Sequence, residues 1–159
     1  MAIRTIVVSV AGAPGSLITA KYAIYLAKIL QVKLFAIYVL NEKVLNELLK
    51  SRIFVEVEAR EYERDLEQQG RVFLERIKKM SESKGVECEG ILLRGVVSDE
   101  VVNKTRELGA DILVMGELKE LKSRAEVFYE EGERIFHKSP CSVVVVKDPV
   151  AVENLYKEI

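Results

Sequence analysis

The chain alternates short apolar runs with longer segments in which apolar residues recur at helical spacing. The five short runs are rich in Val, Ile and Leu, and they cover residues 3–10, 32–39, 86–93, 111–116 and 142–147. Nearly continuous runs of this kind are typical of strands that are buried on both faces of a parallel sheet. We therefore predict five parallel strands.

The segment after the first run predicts a helix over residues 16–30. Ser16 is a candidate N-cap, and Ala20, Ala23 and Ala27 would allow a close approach to the sheet. The larger apolar residues of this helix form one stripe, as expected of a side that faces a core. These residues are Ile18, Tyr22, Tyr25, Leu26 and Ile29.

The remaining connections also predict helices. The connection over residues 41–84 is too long for one ordinary helix, and its pattern predicts a short helix near 44–50 and a long amphipathic one that ends by Ser83. Two further helices are predicted at 98–108 and 124–138, with a short helical turn after Pro149.

The strands and helices alternate along the whole chain, without a repeat or a linker. This order predicts one α/β domain over residues 1–159, with a doubly wound five-stranded parallel sheet of strand order 3-2-1-4-5. Sheets of this class bind ligands beyond the carboxyl ends of their strands. The loops to inspect therefore cover residues 11–16, 39–43, 94–98 and 116–123.

Charge and hydropathy argue against several classes of protein. There are 24 basic and 25 acidic residues, so the formal net charge is −1, whereas nucleic-acid binders carry a basic excess or stripe. No apolar run approaches the roughly 20 residues that span a bilayer. The first residues run directly into a strand pattern, which leaves no room for a signal peptide. We expect a cytoplasmic protein that binds neither nucleic acid nor membrane.

The residues that usually carry catalysis are scarce. His137 is the only histidine, and its place near the end of the predicted helix over 124–138 favours a surface or helix-dipole role. Cys88 and Cys141 fall on opposite edges of the predicted sheet, so we do not expect them to pair. No metal-ligand spacing and no nucleophile motif is present, and we predict neither a catalytic nor a metal site.

The loop after the first strand is small and rich in glycine, with Gly12 and Gly15 ahead of a helix N-terminus. Backbone N–H groups in such a loop are able to hold an anion. The spacing matches neither a P-loop nor a dinucleotide fingerprint. A tight turn between strand and helix explains the loop equally well.

Several segments together resemble the universal stress protein family. They are residues 5–10 with the small-residue loop, residues 20–40, Gly95 with Glu100 and Val101, the run GADILVMG at 109–116 and the run SPCSVVVVK at 139–147. The resemblance covers almost the whole chain. It implies the 3-2-1-4-5 sheet of adenine-nucleotide alpha hydrolase-like folds and a homodimer. Some members of the family bind ATP and others do not.

The ATP motif of the family is incomplete here. In ATP-binding members the fourth strand ends in Gly-x-x-Gly, followed after nine residues by Gly and then Ser or Thr. Gly116 matches the first glycine, but Lys119 stands at the second, and Tyr129 and Glu130 stand at the later pair. Ala11 replaces an acidic residue that contacts the nucleoside in those members. The resemblance therefore implies a member with a degenerate motif and no bound cofactor.

Two considerations define the candidate crevice and its charge. A backbone contact from Val39 remains available, and the crevice residues are Ala11, Gly12, Gly15, Val39, Gly116 and Lys119. If Gly132 serves as the later glycine instead, Glu133 follows it, and Glu131 adds another carboxylate. Because like charges close to a phosphate repel it, we expect no ATP affinity tighter than about millimolar.

The leading functional hypothesis is a non-catalytic stress-response protein that acts through dimerisation and contacts with an unidentified protein. Through Val143, Val144, Val145 and Val146, the last strand would pair antiparallel with the same strand of a second copy across a two-fold axis. The reason is that an exposed, uncharged edge strand is prone to aggregation unless another strand or element covers it. The alternative is a nucleotide-binding regulatory switch that uses backbone amides around Gly12, Gly15 and Gly116. An enzyme is disfavoured by the missing catalytic groups.

Overall fold

Five parallel strands form one sheet, as the apolar runs predict. The computed structural model describes residues 2–11, 15–52, 55–117 and 126–159. The strands are β1 Thr5–Val10, β2 Lys33–Asn41, β3 Cys88–Gly95, β4 Ile112–Met115 and β5 Ser142–Val145. Their order across the sheet is β3-β2-β1-β4-β5, and every neighbouring pair is parallel. The predicted fold class and strand order are confirmed.

The helices lie between and after the strands. They are α1 Ser16–Leu30, α2 Glu42–Lys50, α3 Glu56–Ser83, α4 Val97–Glu107, α5 Glu126–Lys138 and α6 Pro149–Glu158. The first two residues of the predicted helix over 124–138 fall outside the described residues. The predicted turn after Pro149 is a helix of ten residues, which Asp148 caps by accepting a hydrogen bond from the Ala151 N–H at 3.2 Å.

Both faces of the sheet are covered. On one face α1, α3 and α6 enclose a core that includes Ile6, Val8 and Val114. On the other face α4 contributes Val101 and α5 contributes Ile135 to a second core. Among the described helices, none is long and apolar enough to cross a membrane.

The start of α1 differs from its prediction. Gly15, not Ser16, is the N-cap, and Ser16 is the first helical residue. The Ser16 hydroxyl instead accepts a hydrogen bond from the backbone N–H of Ala11 at 3.1 Å. The side chain therefore links the end of β1 to the start of α1 rather than capping the helix.

The face that α1 turns to the sheet contains the alanines that were predicted to allow a close approach, and it differs from the predicted stripe of larger residues. Its fully buried apolar residues are Ala20, Ala23, Ile24 and Ala27, whereas Ile29 is 54% exposed. Small side chains let a helix approach a sheet closely, so the alanines take the contact and larger residues such as Tyr22 and Leu26 pack at its margin.

Gly70 explains how α3 lies close to the sheet. A Cβ at this buried position would stand 2.9 Å from Leu92 Cδ1 and 3.1 Å from the ring of Tyr38. Glycine in a helix costs about 1 kcal/mol relative to alanine. In return, the missing side chain lets α3 rest directly on β2 and β3.

The last helix, α6, closes one edge of the first core. Val152 is 2% exposed, and Lys21 Nζ of α1 lies 2.5 Å from Glu153 Oε1. The ring of Tyr156 lies between two ammonium groups, at 5.4 Å from Lys21 Nζ and 4.5 Å from Lys84 Nζ. The helix is thus fastened to both α1 and the end of α3.

Candidate ligand crevice

Three of the six predicted crevice residues come together at the carboxyl edge of the sheet. Ala11 follows β1 and Gly116 follows β4, and these two strands are neighbours. A Cβ at Gly116 would lie 3.2 Å from the Thr19 hydroxyl, which itself donates to the Gly15 carbonyl at 3.1 Å. Gly116 therefore stands against the first turn of α1, beside Ala11 and Gly15.

The other three candidates have different outcomes. Val39 is in β2, one residue beyond Tyr38, which pairs with the last residue of β1. It lies near the same edge, and its side chain packs against the second core. Gly12 and Lys119 lie outside the described residues, so their predicted roles remain predictions.

The first turn of α1 favours negative charge nearby. It contains no acidic residue, and within the described part of the chain no side chain caps it. The N-terminus of a helix carries partial positive charge from its aligned N–H groups. This end of the crevice is therefore suited to a small anion, even though the loop before it does not follow a known phosphate-binding spacing.

Two of the acidic residues that would oppose a phosphate are engaged elsewhere. The Ser98 N–H donates to Glu131 Oε2 at 2.6 Å, and Arg134 Nη1 lies 3.1 Å from Glu131 Oε1. Glu133 Oε2 lies 3.0 Å from His137 Nε2. Glu131 and Glu133 therefore contribute less negative charge to the crevice than the sequence pattern indicates.

The start of α4 is a feature that sequence reasoning missed. The helix was predicted from Ser98 but begins at Val97, with Val96 as an N-cap that has no side-chain hydrogen bond. The capping carboxylate comes from Glu131 of α5, and no local pattern could have indicated it. The absence of Ser, Thr, Asp or Asn at the N-cap was the one available signal.

The remaining chemistry-bearing residues keep the places predicted for them. His137 is exposed in the last turn of α5, and both cysteines are free, on or next to opposite edge strands. Burial raises the pKa of the Cys88 thiol, and it also raises the pKa of the Cys141 thiol. Within the ranges described, no group of three or more His, Cys, Asp or Glu residues is able to hold a metal ion.

The doubly wound parallel sheet flanked by helices defines an α/β fold of the Rossmann-like class, and comparison with known proteins gives the family. The model of the universal stress protein family matches residues 2–147. The chain belongs to this family.

Three known proteins illustrate the similarity. Universal stress protein MJ0531 of Methanocaldococcus jannaschii is 30% identical over an alignment of 158 positions that covers 92% of this chain and 83% of that protein. A universal stress protein in complex with cAMP has a TM-score of 0.66 at 18% identity, over 92% of this chain and 98% of that one. The Archaeoglobus fulgidus universal stress protein in complex with dAMP has a TM-score of 0.61 at 18% identity, over 92% of this chain and 100% of that one.

Proposed function

We propose that this chain is a non-catalytic universal stress protein that acts as a homodimer joined through β5 and through contacts with an unidentified protein. A second part of the proposal is that its crevice does not hold ATP productively. The observation that supports the dimer is that charged side chains line one edge of the sheet, at β3, whereas uncharged side chains line the other, at β5.

The edge formed by β3 is protected by charge. Arg94 binds Glu63 and Glu67 of α3, while Lys33 pairs with Glu89 at 3.3 Å. Charged side chains along an edge strand discourage the addition of another strand. This edge is therefore a poor candidate for pairing with a second copy.

Among the residues that the structure describes, no ion pair protects the edge formed by β5. Val143, Val144 and Val145 are partly exposed and uncharged. The Val146 N–H donates to the Met115 carbonyl of β4 at 2.9 Å. Because backbone groups alternate in direction along a strand, those of Val143 and Val145 point away from β4. They supply the hydrogen bonds for antiparallel pairing about a two-fold axis near Val144.

The weak ATP affinity rests on the residues that replace the motif of the family. Lys119 and Glu130 stand where ATP-binding members have glycine and a hydroxyl residue, and Ala11 lacks a carboxylate for the nucleoside. Glycine permits close approach of a phosphate to backbone N–H groups, and a carboxylate beside a phosphate opposes it. We expect a Kd for ATP no tighter than about millimolar.

A second candidate function is regulation by a nucleotide with a single phosphate. It is favoured by the neighbours in complex with cAMP and dAMP, and by the first turn of α1, which lies beside Gly116 and contains no acidic residue. One phosphate needs fewer N–H donors than three, so a degenerate motif is less damaging to it.

The dimer is tested by Val145→Pro, which removes an outward N–H and leaves the bonds to β4 intact. Both copies lose this donor, so the loss of two hydrogen bonds of about 1 kcal/mol each weakens the dimer roughly 30-fold. Val145→Thr keeps the N–H and the shape and serves as the matched control. Val145→Lys provides a second variant if the proline variant does not fold.

The measurement is the molar mass by light scattering across a dilution series. The proposal requires a dimeric wild type, a dimeric threonine variant and a dissociating proline or lysine variant. A wild type that is monomeric at micromolar concentration contradicts it. Calorimetry with ATP, AMP and cAMP tests the crevice: micromolar ATP binding overturns the proposal, and micromolar binding of AMP or cAMP alone supports the second candidate.

A further inference from the structure

The N-terminus of α4 is capped by a residue from another helix. The first N–H groups of a helix lack partners within it, and the N-cap side chain usually accepts from one of them. Val96 has no such side chain, and the Ser98 N–H donates instead to Glu131 Oε2 at 2.6 Å. The carboxylate that completes α4 therefore belongs to α5, 33 residues further along the chain.

This contact is enclosed. Glu131 is 6% exposed and Ser98 is 1% exposed. The Ser98 hydroxyl is buried and has no hydrogen-bond partner in the described part of the chain, so the pocket holds a polar group beyond those that Glu131 satisfies. Arg134 lies 3.1 Å from the second carboxylate oxygen, and the helix N-terminus adds positive potential. A buried carboxylate with these partners is compensated, and removing it leaves them unpaired.

The helix α5 leads into β5 through a short connection, and its Ile135 belongs to the same apolar core as Val143 and Val145 of β5. The helix ends at Lys138 and β5 begins at Ser142. Within this short connection the Ser139 N–H donates to the Ile135 carbonyl, and the Ser139 hydroxyl donates to the Cys141 carbonyl at 2.8 Å. The end of α5 is therefore joined by hydrogen bonds to the residue that precedes β5, while β5 itself is also paired with β4.

We propose that Glu131 is a latch: its carboxylate fills an oxyanion position at the N-terminus of α4 and so ties α5, which leads into the edge strand β5, to α4. Glu131 is a positioning residue in this arrangement. The consequence for dimerisation rests on the function proposed above, whereas the latch itself does not.

The test compares Glu131→Ala with Glu133→Ala, a matched variant two residues away whose carboxylate pairs with the exposed His137. We expect Glu131→Ala to lower the Tm by about 5 °C, because a charged hydrogen bond and its helix contact are lost. The Tm of Glu133→Ala stays within about 2 °C of wild type, as for an exposed pair. If the alanine variant does not fold, Glu131→Gln, which keeps the shape and one acceptor but leaves no space for formate, replaces it in the exchange measurement alone.

Hydrogen exchange distinguishes a latch from a general loss of stability. The latch requires faster exchange in α5 and β5 of the Glu131 variant, with the exchange of β2 and β3 unchanged. Formate, a small carboxylate, should slow that exchange in Glu131→Ala and leave wild type and Glu133→Ala unaffected.

Two results overturn the proposal. Equal acceleration in all strands means that Glu131 only adds stability, and a formate effect that is absent or common to all variants means that no oxyanion position exists. Exchange that is local but accompanies a monomeric wild type supports the latch and contradicts the dimer, so the two ideas fail separately.

Discussion

Replacing Gly70 by alanine should destabilise the protein, against the usual preference of helices. In an open helix the change would stabilise by about 1 kcal/mol. Here the new methyl group would stand 2.9 Å from Leu92 Cδ1 and 3.1 Å from two atoms of the Tyr38 ring. These atoms belong to neighbouring strands, so no single side-chain movement relieves all of them. Overpacking of this kind costs about 1–3 kcal/mol, and we expect a net loss of about 1 kcal/mol.

Urea unfolding followed by circular dichroism measures this loss as a lower midpoint at unchanged slope. Gln69→Ala, at the exposed neighbouring position, is the control and should change the free energy of unfolding by less than about 0.5 kcal/mol. Leu92→Val shortens the nearest side chain, so a double-mutant cycle should show that it costs less in the Gly70→Ala background than in wild type. A Gly70→Ala protein more stable than wild type refutes the close approach of α3 to the sheet.

Three further predictions follow from individual side chains. Hydrogen bonds from the backbone N–H groups of Arg4 and Thr5 hold the pKa of Asp111 below its usual value. The carboxylate therefore stabilises the fold above about pH 4, and this contribution is lost as the pH falls through the lowered pKa. The Tm difference between wild type and Asp111→Asn should shrink from pH 7 to pH 3. Burial of Cys88 should make it react with a thiol reagent more slowly than Cys141, as followed by labelling and mass spectrometry, and equal rates contradict this. Val152→Ala, in α6, should cost about 2 kcal/mol in urea unfolding, whereas Val150→Ala, at a position 71% exposed, should cost less than about 0.5 kcal/mol.

The strands could be predicted because burial on both faces leaves a local record in the sequence. Each of the five β-branched runs corresponds to one strand of the structure, and only the ends of the strands differ from the predicted ends. β2 continues to Asn41 because this residue pairs with Gly95 of β3, and pairing of backbones does not require an apolar side chain. Where the end of a strand depends on pairing with another strand, the residues around that end do not indicate it.

The details of helix packing could be predicted less well. For α1 the sequence predicted both a close approach through alanines and a stripe of larger residues; the structure buries Ala23 and Ala27, whereas Ile29 of the stripe is exposed. For α4 the nearest hydroxyl residue, Ser98, suggested the first residue, but the cap comes from Glu131. In both cases the deciding neighbour is distant in sequence, so only the three-dimensional arrangement identifies it.

The helix α6 shows that the unit delimited by sequence comparison and the unit that folds need not coincide. The family match ends at Lys147, while α6 begins at Pro149 and buries Val152 against α1. A recombinant protein trimmed to the matched region would present to solvent the apolar surface that α6 covers. Such a fragment should be prone to aggregation for reasons unrelated to function, and measurements on it would not describe the whole chain.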